Sequence, residues 1–449
     1  MLDLEDELRA VLRERSADAP ASPEFAARID RRLHANVRTR RIVAAALTAA
    51  VVTGAALTTG ALVGRHHGNS VSTTATPGPT TTARPAVQVQ PGEWAAIADP
   101  PMSDAYASVW TGSELVVAFR APNIRFAAYD AAHDSWARIP DPPIEIVAPF
   151  TSDSTMAWTG TTLLVWGYEN HGGDTFSGHH RLLSYDPASD RWTQLASPPI
   201  DTLIQAHPVW TGRELLVWGG NFNGELAPAT GLAYDPATNH WTRMPTAPLS
   251  TREDPTIVWT GQELIVWGGL TANANGQPDT NEGAAYDPDT NAWRPLPKSG
   301  LPPMELAAAA WTGREMIALG SAVGGQTGQN GPDVGAAYNP TTNQWRPIAT
   351  TPLAEREQMS STWTGHELIV WGGLSFSGFR HTLADGAAYD PATDTWRMLA
   401  TSPLGSRLGA SMTTTGDGLV VVVGGNGPST AANASNGEPP APGAAAYRP

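Results

Sequence analysis

The sequence predicts an all-β protein, a seven-bladed β-propeller with four strands in each blade. Three observations lead to this prediction. A unit of about 50 residues recurs through most of the chain, a period typical of propeller blades. All 17 tryptophans fall into three registers of that unit. The apolar runs of each unit are short, rich in β-branched residues and bounded by turn residues, as strands are.

The three tryptophan registers have fixed places in the unit. The first belongs to a Trp-Thr-Gly sequence, at Trp110, Trp158, Trp210, Trp259, Trp311 and Trp363. The second stands at or beside a glycine doublet, at Trp166, Trp218, Trp267 and Trp371. The third follows a tyrosine by seven residues or opens the series, at Trp94, Trp136, Trp192, Trp241, Trp293, Trp345 and Trp396. Such regular spacing is typical of packing between repeats, so we expect these rings in the core.

Two tight turns join the strands within each unit. Gly212 of the Thr-Gly-Arg-Glu sequence suits the first central position of a type II′ hairpin turn, which needs a positive φ. Asp235 and Pro236 suit the first two positions of a type I turn, because the aspartate bonds back to the backbone and proline fixes φ. We therefore expect four antiparallel strands in each unit.

Ring closure is predicted from the two ends of the repeat. The tyrosine register occurs at Tyr129, Tyr185, Tyr234, Tyr286, Tyr338, Tyr389 and Tyr447. A degenerate copy of Trp-Thr-Gly, in which threonine replaces the tryptophan, is present at Thr414, Thr415 and Gly416. Trp94 precedes the first complete unit, and no tryptophan follows Tyr447. The strand around Trp94 is therefore expected to complete the seventh blade.

With a glycine doublet, then a tyrosine, then a tryptophan, these units resemble kelch repeats over residues 93–449. The resemblance implies the propeller fold but says little about activity, because propellers host enzymes, binding modules and scaffolds. Galactose oxidase shares this propeller class and uses a copper radical site with a tyrosine linked to cysteine. This chain has no cysteine. No copper radical cofactor is therefore expected, and no other cofactor is predicted.

Residues 1–92 predict the cellular compartment. Residues 42–64 are uncharged and long enough to cross a bilayer as a helix. Arginines cluster before this segment, which predicts a cytoplasmic tail with short helices at 1–41 and the propeller outside the cytoplasm. Residues 65–92, rich in threonine and proline, are expected to form a spacer. The alternative is a secretory or twin-arginine signal beginning at Arg40 and Arg41, which would make the protein secreted.

The net charge of −15 argues against nucleic acid as a partner, because nucleic-acid binders need a basic surface. The tight turns lie on one face of the predicted ring, here called the turn face. The opposite face, here called the loop face, carries the variable second-to-third loops and the connections between blades. Function is expected on the loop face.

Ligand-binding candidates are the loop-face residues that break the repeat pattern. Arginine could pair with carboxylates, and aromatic rings could cover the apolar face of a sugar. The predicted ligand-binding residues are Arg125, Phe150, His207, Phe222, Arg252, Glu355, Arg356, Phe376, Arg380 and Arg407. The alternative is that these are ordinary polar surface residues.

Two further clusters on the loop face suggest chemistry. His171, Asp174, His179 and His180 are weak metal-ligand candidates, because their spacing matches no zinc template. Glu253, Glu355, Arg356 and Glu357 are weak catalytic candidates. Their carboxylates could transfer a proton at a sugar carbon, although kelch units often carry an arginine here for packing.

The leading functional hypothesis is a membrane-anchored, extracytoplasmic binding module for a glycan, a cell-wall component or a protein. The enzymatic alternative is a sugar epimerase or mutarotase resembling the bacterial N-acetylneuraminate epimerase, also a kelch propeller. A third hypothesis is a transmembrane sensor with residues 1–41 as its output. The oligomeric state is not predicted.

Overall fold

A computed structural model describes the propeller region of the chain. The described residues are 87–120, 123–147, 156–169, 179–200, 206–219, 221–222, 225–226, 229–250, 252–253, 255–271, 281–302, 308–321, 333–375, 381–427 and 443–449. Of residues 221–222, 225–226, 253, 270–271 and 321, only the backbone is described.

The described residues form seven antiparallel four-stranded sheets, which are the blades of a propeller. The inner strands of blades 1 to 7 are Ala105–Trp110, Met156–Trp158, His207–Trp210, Thr256–Trp259, Ala308–Trp311, Ser360–Trp363 and Ser411–Thr414. The second strands are Leu115–Arg120, Leu163–Glu169, Leu215–Trp218, Leu264–Trp267, Met316–Ser321, Leu368–Trp371 and Val420–Val423. The third strands are Ile124–Asp130, His179–Asp186, Gly231–Asp235, Gly283–Asp287, Asp333–Asn339, Gly386–Asp390 and Ala444–Tyr447. The outer strands are Ser135–Arg138, Arg191–Gln194, His240–Arg243, Ala292–Pro295, Gln344–Pro347, Thr395–Met398 and, for blade 7, Trp94–Ala96.

The blades close into a ring. Each inner strand contacts the inner strand of the next blade, and that of blade 7 contacts that of blade 1. At the periphery, the strand Trp94–Ala96 pairs antiparallel with Ala444–Tyr447, with Trp94 opposite Tyr447. The prediction of seven four-stranded blades closed by the strand around Trp94 is confirmed.

The hydrophobic core lies between the blades. Seven apolar clusters are found among the described residues, and each combines side chains of two neighbouring blades. Between blades 6 and 7, for example, Trp371 packs with Val422 and Tyr447. Between blades 7 and 1, Val421 packs with Val117. Because both faces of a blade are covered by its neighbours, the second and third strands are largely apolar.

The tryptophans of the outer strands link each blade to the one before it. In every case the indole Nε1 donates a hydrogen bond of 2.7 to 3.0 Å to a backbone carbonyl four residues after the preceding outer-strand tryptophan. The donor and acceptor pairs are Trp136 and Ala98, Trp192 and Pro140, Trp241 and Ala196, Trp293 and Pro245, Trp345 and Pro297, Trp396 and Ala349, and Trp94 and Ala400. The bond from Trp94 to Ala400 links blade 7 to blade 6, so these bonds run around the whole ring.

The turn face is held by its own repeated bonds. Gly212 has a φ of 96°, which confirms the positive φ predicted for the hairpin turn. Asp235 accepts the backbone N–H of Ala237 at 2.8 Å, as expected for an aspartate that opens a turn. The Tyr234 hydroxyl donates to Asn239, which adopts a φ of 52°. The repeated polar residues of this face therefore serve the turns.

Ion pairs on the turn face extend from one blade to the next. The Arg294 guanidinium pairs with Glu263 at 2.6 Å and donates to the Tyr338 hydroxyl of the following blade. Arg397 does the same with Glu367 and Tyr447. These bonds raise the pKa of Arg294 and of Arg397, mainly through the glutamate partner.

The predicted segments 1–41 and 42–64 lie outside the described residues, as does most of the spacer. Within the part of the chain that the structure describes, there is no helix long and apolar enough to span a membrane. The transmembrane helix therefore stays a prediction.

Candidate functional site

The loop face carries a second set of backbone pairings outside the blades. In blade 4, Arg252–Glu253 pairs with Leu270–Thr271. In blade 6, Glu357 pairs with Leu374, and in blade 7, Leu408 pairs with Asn426. In each case the connection entering a blade pairs with residues just after the glycine doublet. These pairings fix the connections on which several predicted site residues lie.

The arginines of these connections are bound to the backbone of their own blades. Arg252 is buried and donates to the carbonyls of Ser250, Gly268 and Glu282. Arg356 is buried in the same way and donates to the carbonyls of Ala354 and Gly372 and to the Asp385 carboxylate. A guanidinium suits this place because its planar fork can satisfy several fixed acceptors at once.

Blade 2 has an isoleucine where these arginines lie. Val147 pairs with Tyr168 as Glu357 pairs with Leu374, so Ile146 corresponds to Arg356. Ile146 is fully buried and contributes to the core between blades 1 and 2. The equivalent position in blade 2 therefore belongs to the hydrophobic core, which supports the packing alternative for Arg356.

The other described ligand-binding candidates are spread around the loop face. Arg125 pairs with Asp141 at 3.0 Å at the rim of blade 1. His207 begins the inner strand of blade 3. Arg407 donates to the carbonyls of Leu404 and Gly425, and burial lowers its pKa. Glu355 accepts a hydrogen bond of 3.1 Å from the Ser375 hydroxyl.

Several predicted residues cannot be placed. Phe150, His171, Asp174, Phe376 and Arg380 lie outside the described residues. Only the backbone of Phe222 and of Glu253 is described. The described residues contain no group of three histidine, cysteine or acidic side chains able to hold a metal ion.

His180 is a buried part of blade 2. Its ring stacks on Trp166 at 4.6 Å between ring centroids and meets the edge of Tyr168 at 5.3 Å. Burial lowers the pKa of His180 to about 3, and the carbonyl of Gly167 opposes this only in part. The imidazole is therefore neutral in the folded protein at any pH near 7.

Acid is expected to destabilise the propeller through His180. In the unfolded chain a histidine has a pKa of about 6.5. Because the folded-state pKa is lower, only the unfolded chain binds the proton between these values, and stability is lost as the pH falls below about 6.5. At pH 5 the loss is about 2 kcal/mol relative to pH 7. Urea unfolding at the two pH values should show this loss in the wild type and a smaller one in His180→Phe.

The exposed His366, in a turn of blade 6, provides the matched control. The variant His366→Phe should lose as much stability at pH 5 as the wild type. An unchanged loss in His180→Phe would contradict the assignment.

A cavity of about 200 Å³, here called the axial cavity, lies among the inner strands that surround the axis of the ring. Its walls include Tyr106 of blade 1, Met156 of blade 2, Met359 and Ser361 of blade 6, and Met412 of blade 7. Blades 6, 7, 1 and 2 follow one another around the ring, so the cavity lies on one side of the axis. Its lining belongs to the first residues of the inner strands, which places it toward the loop face.

Tyr106 reaches this cavity through a β-bulge. Ala105 pairs with Phe119 and Ala107 with Ala118, which leaves Tyr106 as an extra residue in the strand. Bulges of this kind redirect a side chain and are common beside functional sites. The Arg120 guanidinium lies over the Tyr106 ring, 4.4 Å from its centroid.

The segment before this bulge is also unusual. Asp104 pairs with Arg120 at 3.7 Å and has a φ of 63°. Gln358, at the same point of blade 6, has a φ of 53°. The other described non-glycine residues with positive φ are asparagines and aspartates of the turn face, at 134, 190, 239, 291, 343 and 394. Non-glycine residues with a left-handed backbone conformation outside turns often mark functional positions.

Asp104, Tyr106 and Arg120 are not among the ligand-binding residues that the sequence predicts. The sequence does mark this segment as irregular. Trp94 and Trp110 are 16 residues apart, whereas four of the later intervals between an outer-strand tryptophan and the next Trp-Thr-Gly tryptophan are 18 residues. The cavity residues Ser361 and Met412 gave no signal, because each keeps its place in an ordinary strand.

Comparison with known proteins identifies the family. No curated protein matches this sequence. A solved structure of YjhT matches with a TM-score of 0.47 and 16% sequence identity, covering 64% of this chain and 93% of that chain. The family described as KLHDC2/KLHL20/DRC7 Kelch-repeats domain matches residues 153–350 and 256–434, which together span more than half of the chain. With seven blades of the predicted repeat pattern, the chain belongs to the kelch-repeat family.

Proposed function

We propose that this chain is a binding or recognition module whose ligand is a glycan, a cell-wall component or a protein. The ligand binds at the loop-face mouth of the axial cavity. A membrane anchor at 42–64 holds the propeller outside the cytoplasm.

The bulge at Tyr106 carries the proposal for the site. It brings Tyr106 to the wall of the cavity, and the Arg120 guanidinium lies over the Tyr106 ring. Placed polar groups in such a recess can fix the orientation of a ligand. The Arg120 side chain is 23% exposed, so it is largely buried and still reachable by a ligand.

Replacing Arg120 is expected to weaken ligand binding. Full-length protein in detergent would be screened against a glycan array, purified cell-wall polymer and extracytoplasmic proteins. For whichever ligand binds, Arg120→Ala should raise Kd about fivefold, because a polar contact at the mouth and the contact with Tyr106 are lost.

The matched control is Arg213→Ala, since the Arg213 side chain is 67% exposed and lies in a turn on the opposite face. Its Kd should equal that of the wild type. Equal losses in both variants, or no loss in either, would place the binding site elsewhere.

The proposed topology rests on the arginines before residues 42–64. Because the chain has no cysteine, single cysteines can be introduced as reporters. A membrane-impermeant maleimide added to intact cells should label Ser113→Cys on the turn face and spare Ser16→Cys in the N-terminal tail. Labelling of Ser16→Cys, or protection of Ser113→Cys, would contradict the topology.

A further inference from the structure

The hydroxyl groups of the inner strands are unevenly distributed around the axis. Blades 6, 7 and 1 contribute a row of serines and threonines, namely Ser360, Ser361, Thr362, Ser411, Thr413 and Ser108. Blades 2 to 5 place Met156, Pro208, Ile257 and Ala309 at the positions equivalent to Ser361. The axial cavity is lined by residues of blades 1, 2, 6 and 7 and therefore lies against the hydroxyl-bearing sector.

These hydroxyls hold one another in place. The Ser108 hydroxyl lies 2.5 Å from that of Ser411 and 2.7 Å from that of Thr413, across the closure between blades 1 and 7. The Ser360 hydroxyl donates to the Ala410 carbonyl at 2.7 Å, between blades 6 and 7. Each hydroxyl can donate one hydrogen bond and accept others, so such a wall can bind both donors and acceptors of a ligand.

Three methionines and a tyrosine also line the cavity, namely Met156, Met359, Met412 and Tyr106, but most of the exposed lining is polar. None of the described residues that line the cavity is charged. An ionised group deep in the cavity would lose its hydration without a counter-ion in the lining, which is strongly unfavourable. The chemistry of the lining therefore favours a neutral ligand that carries several hydroxyl groups.

The size of the cavity limits the ligand to a small group. Sites that enclose drug-sized molecules measure roughly 300 to 1,000 Å³. This cavity, at about 200 Å³, is smaller. It therefore suits a single ring, either alone or at the end of a larger molecule.

We infer that the axial cavity binds a neutral polyhydroxylated ring, such as a pyranose or a cyclitol. The hydroxyl groups of the ring meet the serines of blades 6, 7 and 1, which supply most of the polar lining. This inference rests on the proposed binding function. It names the chemical class of the ligand group that binds in the deepest part of the proposed site.

Calorimetric titration of the full-length protein, in a detergent without a sugar headgroup, tests this inference. The probes are methyl glucoside and myo-inositol as neutral polyols, glucuronate as the anionic counterpart, and cyclohexanol as a ring with one hydroxyl. At least one neutral polyol should bind, and glucuronate and cyclohexanol should bind at least tenfold more weakly.

Ser361→Ala should weaken that binding about fivefold, because one hydrogen bond is lost. Ser361 is preferred to Ser108 for this test, since Ser108 also joins blades 1 and 7. Ser113→Ala, in an exposed turn on the opposite face, should change nothing.

Glucuronate binding as tightly as the neutral polyols, no binding of either polyol, or an unchanged Kd in Ser361→Ala would overturn the inference. If the neutral polyols fail while a larger ligand still depends on Arg120, the inference alone falls. If no ligand depends on Arg120, the proposed function falls as well.

Discussion

Replacing Trp94 by alanine is expected to lower the free energy of unfolding by about 3 kcal/mol and to loosen blade 7. The indole packs against Tyr447 at 5.0 Å and Trp371 at 5.9 Å between ring centroids, and its Nε1 donates to Ala400. The strand that carries it is the outer strand of blade 7 and pairs with Ala444–Tyr447, which lies at the other end of the repeat region. Loss of the indole therefore weakens both the packing and the closure of the ring.

Trp396→Ala is the matched control for closure. Trp396 holds the same register in blade 6 and donates to Ala349 in the same way. Its strand, however, follows the third strand of the same blade through a tight turn. Hydrogen exchange of the Ala444–Tyr447 amides should accelerate in Trp94→Ala and stay unchanged in Trp396→Ala. Equal exchange in the two variants would show that closure does not depend on Trp94.

Replacing Arg356 by methionine is expected to cost about 3 to 5 kcal/mol of stability, because buried acceptors lose a charged donor. The Arg356 side chain is fully buried and serves the carbonyls of Ala354 and Gly372 as well as Asp385. Arg356→Lys should recover only part of the loss, since an ammonium cannot reproduce the planar fork. Urea unfolding followed by far-ultraviolet circular dichroism measures both effects.

Arg252 and Arg213 provide two controls for this prediction. Arg252→Met should cost nearly as much, because Arg252 binds the carbonyls of Gly268 and Glu282 at the equivalent place in blade 4. Arg213→Met should leave the free energy of unfolding nearly unchanged, since exposed side chains contribute little to stability. If Arg356→Met kept full stability and lost ligand binding, the guanidinium would be a ligand contact instead.

The same measurement bears on the enzymatic alternative. That hypothesis needs Glu355, Arg356 and Glu357 to face a substrate. The structure gives Arg356 several acceptors within its own blade and joins Glu355 to Ser375. Loss of sugar isomerisation in a variant of unchanged stability would support catalysis, and it stays a prediction until that is measured.

Most of the fold could be predicted because the same contact recurs in every repeat unit. Each outer-strand tryptophan makes the same bond to the preceding blade, so its spacing in the chain follows from the blade itself. The closing strand was predictable for the same reason, since Trp94 continues the register that ends after Trp396.

The candidate site is harder to predict because its residues obey no common spacing. Arg252 and Arg356 depart from the repeat, which predicts ligand residues, and in the structure each also binds the backbone at its own glycine doublet. A polar side chain in a connection has the same appearance in the sequence whether it points into the blade or toward the channel. Burial alone separates the two cases.

The number of blades, the strand order and the closure follow from the sequence alone, because they depend on contacts repeated at a fixed interval along the chain. Which residues line the cavity becomes apparent only in the folded ring. Tyr106, Ser361 and Met412 come from three different blades and are far apart in the chain. No local pattern connects them, since their meeting depends on the ring being closed.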